Sequence, residues 1–352
     1  MYVAIIGAGA SGLFLANLLE KNNIKYKIFD DGKIGRKILA SGNGKCNISN
    51  INLDKKYYHN NELANYLINK HKNELFNEFK RLNIYTKIDN EGRMYPISES
   101  SLSILNALTL NINMNIVNIH VNKIIKKNNK YYLNDYNEGF DFVAIGIGSP
   151  SGYKNKIDYQ ILNSFDLKFN EFKPSLSGFK LKENVKAISG VRAKGHVSLI
   201  ENNKLIHEED GEIIFKDDGI SGICIMNLSS YYNYTSMKNI KLKISLVDKK
   251  YDSYITILNP KLLEYVNKNN LNPMELIFNI KSTYDFEFSQ VSNGGIDVNS
   301  LNNNLSLKSD NHIFFMGEVI DVDGICGGFN LSFAFLSALE VSEVLTNEVS
   351  NK

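Results

Sequence analysis

The chain has 352 residues, which is enough for two or three domains and a sizeable core. Its 43% hydrophobic and 22% charged residues are ordinary for a globular protein. The net charge is only +2 and the basic residues are scattered along the chain, so the sequence lacks the clear basic patch of a nucleic-acid-binding protein. Three cysteines without paired spacing argue against a disulfide framework and favour the cytoplasm. No apolar run approaches the about 20 residues of a membrane span, and the N-terminus lacks the basic start of a signal peptide.

The first predicted elements surround a glycine motif. Tyr2 to Ile6 is a short apolar run typical of a buried parallel strand, and Leu13 to Leu19 continues as a helix. Between them, Gly7, Gly9 and Gly12 stand in the G-x-G-x-x-G register. The first glycine permits a tight turn, the second lets the backbone approach a pyrophosphate, and the third lets the helix pack closely on the strand.

A second strand supports a dinucleotide site. Tyr26 to Phe29 is followed by Asp30, about twenty residues after the motif, where a carboxylate bonds ribose hydroxyls. The order of strand, glycine turn and helix that the motif requires is also present. We therefore predict a dinucleotide site rather than a glycine-rich turn without a ligand.

A glycine-rich basic segment, residues 35–47, reads as a loop. Because it follows the ribose-binding acid, it would lie beside the dinucleotide in a doubly wound fold, although an exposed basic loop has the same composition. It contains three glycines, Gly35, Gly42 and Gly44, and three cations, Arg36, Lys37 and Lys45.

The predicted secondary structure of the chain changes near residue 168. Before it, helical spacing covers 61–82 and 102–108, and strand patterns cover 116–125, 130–133 and 140–147, the last ending near Gly148. After it, short strand patterns predict a separate β-rich domain, with strands at 197–200, 212–215 and 240–246. Residues 260–282 read as one or two short helices.

The last 60 residues again show the pattern of the first domain, in which a buried strand is followed by a glycine-rich turn and a helix. A strand over 313–316 ends in Gly317-Glu318 and is followed by Asp321, Asp323 and Gly324. The chain then enters Gly327-Gly-Phe-Asn330, where an apolar helix over 331–345 begins. This second glycine-rich helix N-terminus has a dipole that favours negative charge.

The motifs together resemble a bacterial family of FAD-dependent flavoproteins, labelled NAD(P)/FAD-dependent or aminoacetone oxidase-type, that includes the bile-acid reductase BaiN and the protein YhiN. The resemblance covers nearly the whole chain. Its motifs are Gly7-x-Gly9-x-x-Gly12, Gly35-Arg-Lys with Ser41-Gly-Asn-Gly-Lys-Cys-Asn47, Gly92-Arg-Met-Tyr-Pro96, Gly211-Glu-Ile-Ile-Phe215 with Gly219-Ile-Ser-Gly222, Gly294-Gly-Ile296, and Gly317 to Gly324 with Gly327-Gly-Phe-Asn330.

This resemblance implies an α/β fold: a Rossmann-like, glutathione-reductase-like FAD-binding domain with an inserted β-rich domain and a small helical insert. The expected divisions are 1–165 and 289–352 for the FAD domain, 166–250 for the β-rich substrate domain and 251–288 for the helical insert.

FAD would bind extended across the first domain. Its diphosphate would lie at Gly7, Gly9, Ala10, Ser11 and Gly12, its ribose at Asp30 and its adenine near Val121. The isoalloxazine would lie between residues 41–47 and 321–330. The remaining expected cofactor contacts are Arg36, Lys37, Ser41, Gly42, Gly44, Cys46, Asn47, Gly148, Gly317, Glu318, Asp321, Gly327, Gly328 and Asn330.

The chain departs from the family pattern in places that bear on the substrate. The strand that usually ends Ala-Thr-Gly-Gly reads Ala144-Ile-Gly-Ile-Gly148, and the loop after it is short. Lys216-Asp217 replaces a Thr-His pair, and Ile223 replaces a proline. These differences affect substrate identity more than FAD binding.

The leading functional prediction is an FAD-dependent oxidoreductase of a small organic substrate, driven by transiently docked NAD(P)H because only one dinucleotide fingerprint is present. An amine oxidase, a non-catalytic flavin-binding redox sensor or assembly partner, an RNA-modifying flavoenzyme and a simple NAD-dependent dehydrogenase are the alternatives. No catalytic residue and no zinc motif are apparent. Neither a nucleic-acid nor a membrane partner is expected, and the oligomeric state stays open.

One hypothesis concerns the cysteines. Cys46 and Cys326 both fall in segments placed at the flavin, where they could form a redox-active pair. The alternative is that both are small buried residues, the common fate of free cysteine.

Overall fold

A computed structural model describes residues 1–112, 116–154, 157–247, 251 and 253–350. The chain divides into two compact units. Unit 1 comprises Met1–Pro150, Asn155–Phe172 and Gly294–Lys352, and unit 2 comprises Ser151–Lys154 and Lys173–Asn293.

The helices and strands of the described residues are numbered in chain order. The α-helices are α1 (Ala10–Lys21), α2 (Arg36–Ala40), α3 (Asn61–Arg81), α4 (Ser101–Thr109), α5 (Ile223–Tyr232), α6 (Pro260–Lys268) and α7 (Phe329–Ser350). The strands are β1 (Tyr2–Ile6), β2 (Lys25–Phe29), β3 (Ser49–Asn50), β4 (Thr86–Ile88), β5 (Arg93–Pro96), β6 (Ile124–Lys127), β7 (Lys130–Leu133), β8 (Phe142–Ile145), β9 (Phe169–Ser175), β10 (Phe179–Leu181), β11 (Arg192–Glu201), β12 (Lys204–Phe215), β13 (Gly219–Ser221), β14 (Ile240–Ser245), β15 (Leu276–Thr283), β16 (Val291–Ile296), β17 (Ser306–Leu307) and β18 (Asp310–Phe315).

Unit 1 is built on a five-stranded sheet in the order β17-β18-β8-β1-β2. Strands β18, β8, β1 and β2 are parallel, and β17 pairs antiparallel at the edge. All four residues of β8 are buried, as a parallel strand covered on both faces requires. The parallel sheet predicted from the apolar runs is therefore present, and the carboxyl ends of β1, β8 and β18 meet at one edge.

Three helices of unit 1 are held together by aromatic packing. The rings of Phe14 on α1, Phe79 on α3 and Phe335 on α7 lie 4.9 to 6.2 Å apart, in tilted and edge-on arrangements. Helix α7 is long and apolar enough to cross a membrane by length and composition, but 67% of the tested window is buried inside the protein. Its apolar character therefore fits a core helix.

The strand predicted over residues 116–125 is largely wrong. Only Ile124–Lys127 forms a strand, and the preceding segment contributes one parallel bridge, between Phe29 and Val117. Because β2 ends at Phe29, its pairing with this segment stops at Val117, and the Asn134 side chain instead bonds the backbone of His120, Asn122 and Lys123.

Unit 2 contains a closed barrel in the order β10-β13-β12-β11-β14-β15. Ile240, Leu242 and Ile244 alternate with half-exposed residues along β14, as the period of two predicts. Within this unit, α5 follows β13 and α6 precedes β15.

The helical insert expected over residues 251–288 needs correction. Among its described residues one α-helix is present, Pro260–Lys268, and Leu276–Thr283 is a strand that pairs with β10 and β14. Leu276, Phe278 and Ile280 are buried and alternate with more exposed residues, which is the pattern of a strand. Their burial results from the pairing that closes the barrel. The β-rich unit therefore extends to Asn293 rather than to residue 250.

Candidate cofactor site

The glycine turn between β1 and α1 has three glycines with different surroundings. A Cβ on Gly7 would lie 2.4 Å from the carbonyl oxygen of Gly146, and one on Gly12 would lie 1.9 Å from the carbonyl oxygen of Gly7. Gly7 also has a φ of +106°, which favours glycine. A Cβ on Gly9, in contrast, would meet nothing within 4 Å.

Gly9 precedes the first turn of α1, which begins at Ala10 and has no side-chain cap. The first N–H groups of a helix lack intrahelical partners and carry partial positive charge. An open glycine backbone at an uncapped helix N-terminus is therefore a cradle that fits a diphosphate.

Asp30 braces this turn from the end of β2. Its Oδ2 accepts a 2.6 Å hydrogen bond from the backbone N–H of Ala8, and its Oδ1 accepts one of 2.7 Å from Gly32. Each carboxylate oxygen has further acceptor capacity, so bonds to ribose hydroxyls remain chemically available. The backbone N–H of Asp30 donates to Val117, four residues before the buried Val121.

Ser11 lies where the ends of β8 and β18 approach α1. A Cβ on Gly146 would be 2.7 Å, and one on Gly317 3.0 Å, from Ser11 Oγ. The structure thus brings Ser11 and Gly317, two predicted site residues, to the carboxyl edge of the sheet. This is where open α/β sheets bind ligands.

Residues 35–47, predicted as a loop, instead contain helix α2 and a short turn, Ser41–Gly44. Helix α2 directs Lys37 towards the sheet, where its Nζ donates to Glu318 Oε2 at 2.5 Å and to Ser149 Oγ at 2.9 Å. Burial lowers the pKa of Lys37, and the ion pair with Glu318 opposes that effect. Lys37 thereby ties α2 to the strand ends around Gly148. Arg36, one residue earlier, is half-buried.

The turn after α2 is mostly left-handed. Gly42, Asn43, Gly44 and Cys46 have φ values of +57°, +52°, +84° and +57°. A Cβ on Gly44 would meet nothing within 4 Å, so this part of the turn is open backbone. The Ser41 hydroxyl is half-buried and donates to the carbonyl of Ile38 at 2.7 Å.

Cys46 closes this turn, and its backbone N–H donates to the carbonyl of Ser41 at 3.1 Å. Its side chain is fully buried, and burial raises the pKa of its thiol to about 11. The thiol form therefore dominates near neutral pH. Cys326 is half-buried.

The second glycine turn, before α7, is docked on the segment that follows Cys46. With its amide oriented to satisfy both groups, Asn47 Nδ2 donates to the carbonyl of Ser49 at 2.9 Å, and Oδ1 accepts from the N–H of Gly328 at 3.0 Å. Asn50 Nδ2 donates to the carbonyl of Gly327 at 3.0 Å. The two segments predicted to flank the isoalloxazine are therefore in direct contact.

Asn330 and Asp321 hold the backbone around this turn. Asn330 Oδ1 accepts from the N–H of Gly324 and its Nδ2 donates to the same residue's carbonyl, both at 2.8 Å. The buried carboxylate of Asp321 accepts from the N–H of Gly294 at 3.0 Å and from Asn170 Nδ2 at 2.7 Å. Their side chains thus support the site's framework in this structure.

Sequence reasoning missed several residues that build the site. Asn50 and Ser149 are described above, and Tyr58 donates its hydroxyl to the carbonyl of Phe329 at 2.8 Å. Asn60 Nδ2 donates to the carbonyl of Asp321 at 2.8 Å. The polar run Asn47-Ile-Ser-Asn50, directly after a glycine-rich turn, is a signal that could have identified Asn50.

One group of potential metal ligands occurs among the described residues: His71, Glu340 and Glu343. His71 Nε2 lies 2.7 Å from Glu340, and the ammonium of Lys70 lies 3.0 Å from Glu340 and 3.1 Å from Glu343. Because Lys70 already supplies the positive charge between the carboxylates, the group is an ion-pair network between α3 and α7.

Comparison with known proteins identifies the family. The model for the HI0933-like protein Rossmann domain matches residues 1–344, so the chain belongs to that family. It is 25% identical over 393 residues to a 3-dehydro-bile acid delta(4,6)-reductase of Clostridium scindens, covering 95% of this chain and 96% of the relative. It is also 25% identical over 387 residues to a ribosomal RNA dihydrouridine synthase of Haemophilus influenzae, with the same coverage.

Solved structures agree on the fold. A flavocytochrome c3 fumarate reductase in an open conformation superposes with a TM-score of 0.50 over 98% of this chain and 78% of that chain, at 11% identity. At this identity the likeness shows the fold alone.

The predicted resemblance to BaiN and YhiN relatives is confirmed, and the protein is an FAD-dependent oxidoreductase with a Rossmann-like domain. The open backbone at Gly9, at the N-terminus of α1, fits the diphosphate of FAD.

Proposed function

We propose that the protein is a cytoplasmic, NAD(P)H-driven reductase of an electron-poor carbon–carbon double bond in a small organic substrate. The observation that carries this proposal is the pair of glycine turns at the N-termini of α1 and α7, the first open at Gly9 and the second docked on Asn47. Two relatives support the reaction class: a delta(4,6)-reductase and a dihydrouridine synthase are both named for reduction of a ring double bond.

Different residues of the chain would bind different parts of FAD. The N-terminus of α1 would hold the diphosphate, and Asp30 would hold the ribose while it braces Ala8. When reduced, FAD supplies a hydride equivalent. The positive end of α7 would face the negative charge of the reduced ring and thereby favour the reduced state.

NAD(P)H would dock transiently. A tightly held nicotinamide cofactor requires its own glycine turn and helix N-terminus, and the sequence carries one complete fingerprint of that kind.

An anaerobic absorption spectrum of the purified holoenzyme, recorded before and after addition of NADPH, tests the proposal. We expect a flavin spectrum that bleaches promptly, and reoxidation when a cyclic enone is added. A flavin that stays oxidised would contradict the reductase and favour an amine oxidase or a redox sensor. Protein that cannot be reconstituted with FAD would refute the cofactor assignment.

A second candidate is reduction of uridine in ribosomal RNA. It is favoured by the Haemophilus influenzae relative and by an Escherichia coli relative that is 24% identical over 406 residues, both of which are named ribosomal RNA dihydrouridine synthases. Ribosomal RNA from cells that lack the gene would be incubated with the reduced holoenzyme and digested. A mass increase of two hydrogens on one uridine would establish this activity. Unchanged RNA, together with enone-dependent reoxidation, would support the small-molecule reductase.

A further inference from the structure

An ion pair crosses the carboxyl edge of the unit 1 sheet at the point where the order of the strands reverses. Along the chain, β1 leads to β2 on one side, whereas β8 and β18 lie on the other side of β1. The switch point is therefore between β1 and β8, where open α/β sheets form the crevice for their ligand. Lys37 follows β2, yet it contacts Ser149 and Glu318, which follow β8 and β18. Its side chain thus spans the switch point.

The helix that carries Lys37 is fastened to the glycine turn after β1. The backbone N–H of Gly35, which precedes α2, donates to the carbonyl of Ala8 at 2.9 Å. At the other end of α2, the hydroxyl of Ser101 donates to the carbonyl of Leu39 at 3.0 Å. These contacts fix α2 next to the predicted diphosphate cradle, so the position of Lys37 is set by the same turn.

The two charges of the pair are in direct contact. Lys37 Nζ lies 2.5 Å from Glu318 Oε2 and 2.9 Å from Ser149 Oγ, and a Cβ on Gly148 would lie 4.0 Å from it. The side chains of Lys37 and Glu318 are 30% and 18% exposed, so solvent screens them only in part. Opposite charges in contact largely cancel at a distance. The pair therefore adds almost no net charge to the crevice, and loss of either member would uncover a full charge there.

Stability alone gives little reason for a pair of this kind. Removing two charges from water is unfavourable, and apolar residues of similar volume often stabilise a protein equally well. Burial lowers the pKa of Lys37, and the carboxylate of Glu318 opposes that effect and helps to keep the ammonium charged. Shielded charges of this kind, placed in a crevice, are frequent at functional sites.

We infer that the Lys37–Glu318 pair sets the reduction potential of bound FAD by holding the local charge of the crevice near zero. Reduced FAD carries more negative charge than oxidised FAD. A carboxylate without its partner would therefore disfavour the reduced form, and a cation without its partner would favour it. This inference goes beyond the proposed reductase function and requires only that FAD binds in this crevice.

Midpoint potentials of the holoenzyme, measured by photoreduction in equilibrium with reference dyes, test the inference without NADPH or substrate. Lys37→Met leaves the Glu318 carboxylate without its partner and should lower the potential. We expect the affinity for reduced FAD relative to oxidised FAD to fall about 3- to 10-fold, which is about 15 to 30 mV for a two-electron couple. The double substitution Lys37→Met and Glu318→Gln removes both charges and should return the potential to that of the unmodified protein.

A second double substitution, Lys37→Arg and Glu318→Gln, leaves the opposite charge. Because a guanidinium stays protonated, this variant should raise the potential by a similar amount, whereas Lys37→Arg alone keeps the pair and should change it little. A purely structural role of the pair predicts no such reversal of sign. If Lys37→Met does not retain FAD, the comparison of the two arginine variants decides the question by itself.

Lys130→Met is the matched control. Lys130 lies 2.5 Å from Asp141, and their side chains are 42% and 26% exposed. Asp141 directly precedes β8, so this pair lies at the amino end of the strand whose carboxyl end leads to Ser149. Its loss uncovers the same kind of charge at the opposite edge of the sheet and should leave the potential unchanged. The FAD content and melting temperature of every variant would verify folding.

An unchanged potential in Lys37→Met, or an equal shift in Lys130→Met, would overturn the inference. So would shifts of the same sign in the variants that leave opposite charges. The reductase proposal is tested separately by bleaching with NADPH. If NADPH does not bleach the flavin but the potential depends on Lys37 and Glu318 as expected, the reductase proposal fails and the role of the pair stands. If NADPH bleaches the flavin but the potential does not depend on the pair, the reductase stands and this inference fails.

Discussion

The backbone N–H of Ala8 donates a 2.6 Å hydrogen bond to the carboxylate of Asp30. This bond links the turn after β1 to the end of β2, so one side chain both shapes the diphosphate cradle and stands at the predicted ribose position. Loss of the carboxylate should therefore affect FAD binding in two ways at once.

Asp30→Asn should lower FAD affinity by about 10- to 100-fold, because a hydrogen bond to a charged acceptor contributes about 1.5 to 3 kcal/mol. Equilibrium dialysis of the apoprotein against FAD would measure the change. Asp31→Asn is the control, since Asp31 is exposed and pairs with His120. Equal affinities of the two variants would contradict the role of Asp30.

The glycines of the first turn should differ in their tolerance to alanine. Gly12→Ala places a methyl group 1.9 Å from a backbone oxygen and should lower the free energy of unfolding by about 3 kcal/mol. Gly9→Ala meets no atom within 4 Å and should unfold at nearly the same urea concentration as the unmodified protein while binding FAD more weakly. The opposite result, in which Gly12→Ala is stable but binds FAD weakly and Gly9→Ala is unstable, would contradict these roles of the two glycines.

The buried pair of His71 and Glu340 should make stability depend on pH. Burial alone would lower the pKa of His71, but its bonds to Glu340 and Glu74 outweigh burial and raise it. Burial alone would raise the pKa of Glu340, but bonds from His71 and Lys70 outweigh burial and lower it. The His71 contribution is then complete below about pH 6.5 and is lost as pH rises through the raised pKa, whereas that of Glu340 is complete above about pH 4.3 and is lost at lower pH.

His71→Gln should therefore cost more stability at about pH 5.5 than at about pH 9 in urea unfolding. Glu340→Gln should cost about 3 to 5 kcal/mol near pH 5.5, the usual result of breaking a buried ion pair. Glu343→Gln, at a side chain that is 43% exposed, is the control and should cost far less. A His71→Gln cost that does not change with pH would show that His71 stays uncharged.

Cys46 should react slowly with alkylating reagents. Its thiol is fully buried and has a pKa raised to about 11, so little thiolate exists at about pH 8. We expect iodoacetamide to modify Cys326 first, and Cys46→Ser to leave the rate of flavin reduction by NADPH unchanged. Rapid alkylation of Cys46 with loss of that reduction would instead support the redox-pair hypothesis.

Local patterns predicted the parts of the fold that local interactions determine. The strand Tyr2–Ile6, the glycine turn and the helix after it follow from apolar periodicity and from three glycines within six residues. The strand Leu276–Thr283 was misread because its residues are buried only when a barrel closes against β10, almost a hundred residues earlier in the chain. Patterns over a few neighbouring residues do not predict pairing between strands so far apart in the sequence.

The same limit applies to the candidate site. Glycine-rich motifs located both turns, but the contact of Asn47 with Gly328 spans 281 positions. The family resemblance implies that Asp321 and Asn330 contact the cofactor, which stays a prediction, and the structure adds that their side chains also bond to the protein itself. Sequence reveals which residue types gather near a site more readily than it reveals which atoms each side chain contacts.

The tight packing of Gly294 has a consequence for the origin of this architecture. A Cβ on Gly294 would lie 2.4 Å from the carbonyl oxygen of Glu171, so the points where the long segment 173–293 leaves unit 1 and returns to it are neighbours. Domain insertions succeed where the host's ends are close together, because the host then folds as if joined by a short turn. Residues 173–293, the longer of the two segments of unit 2, therefore begin and end at neighbouring points of the chain, as a segment inserted at one place in a host domain does.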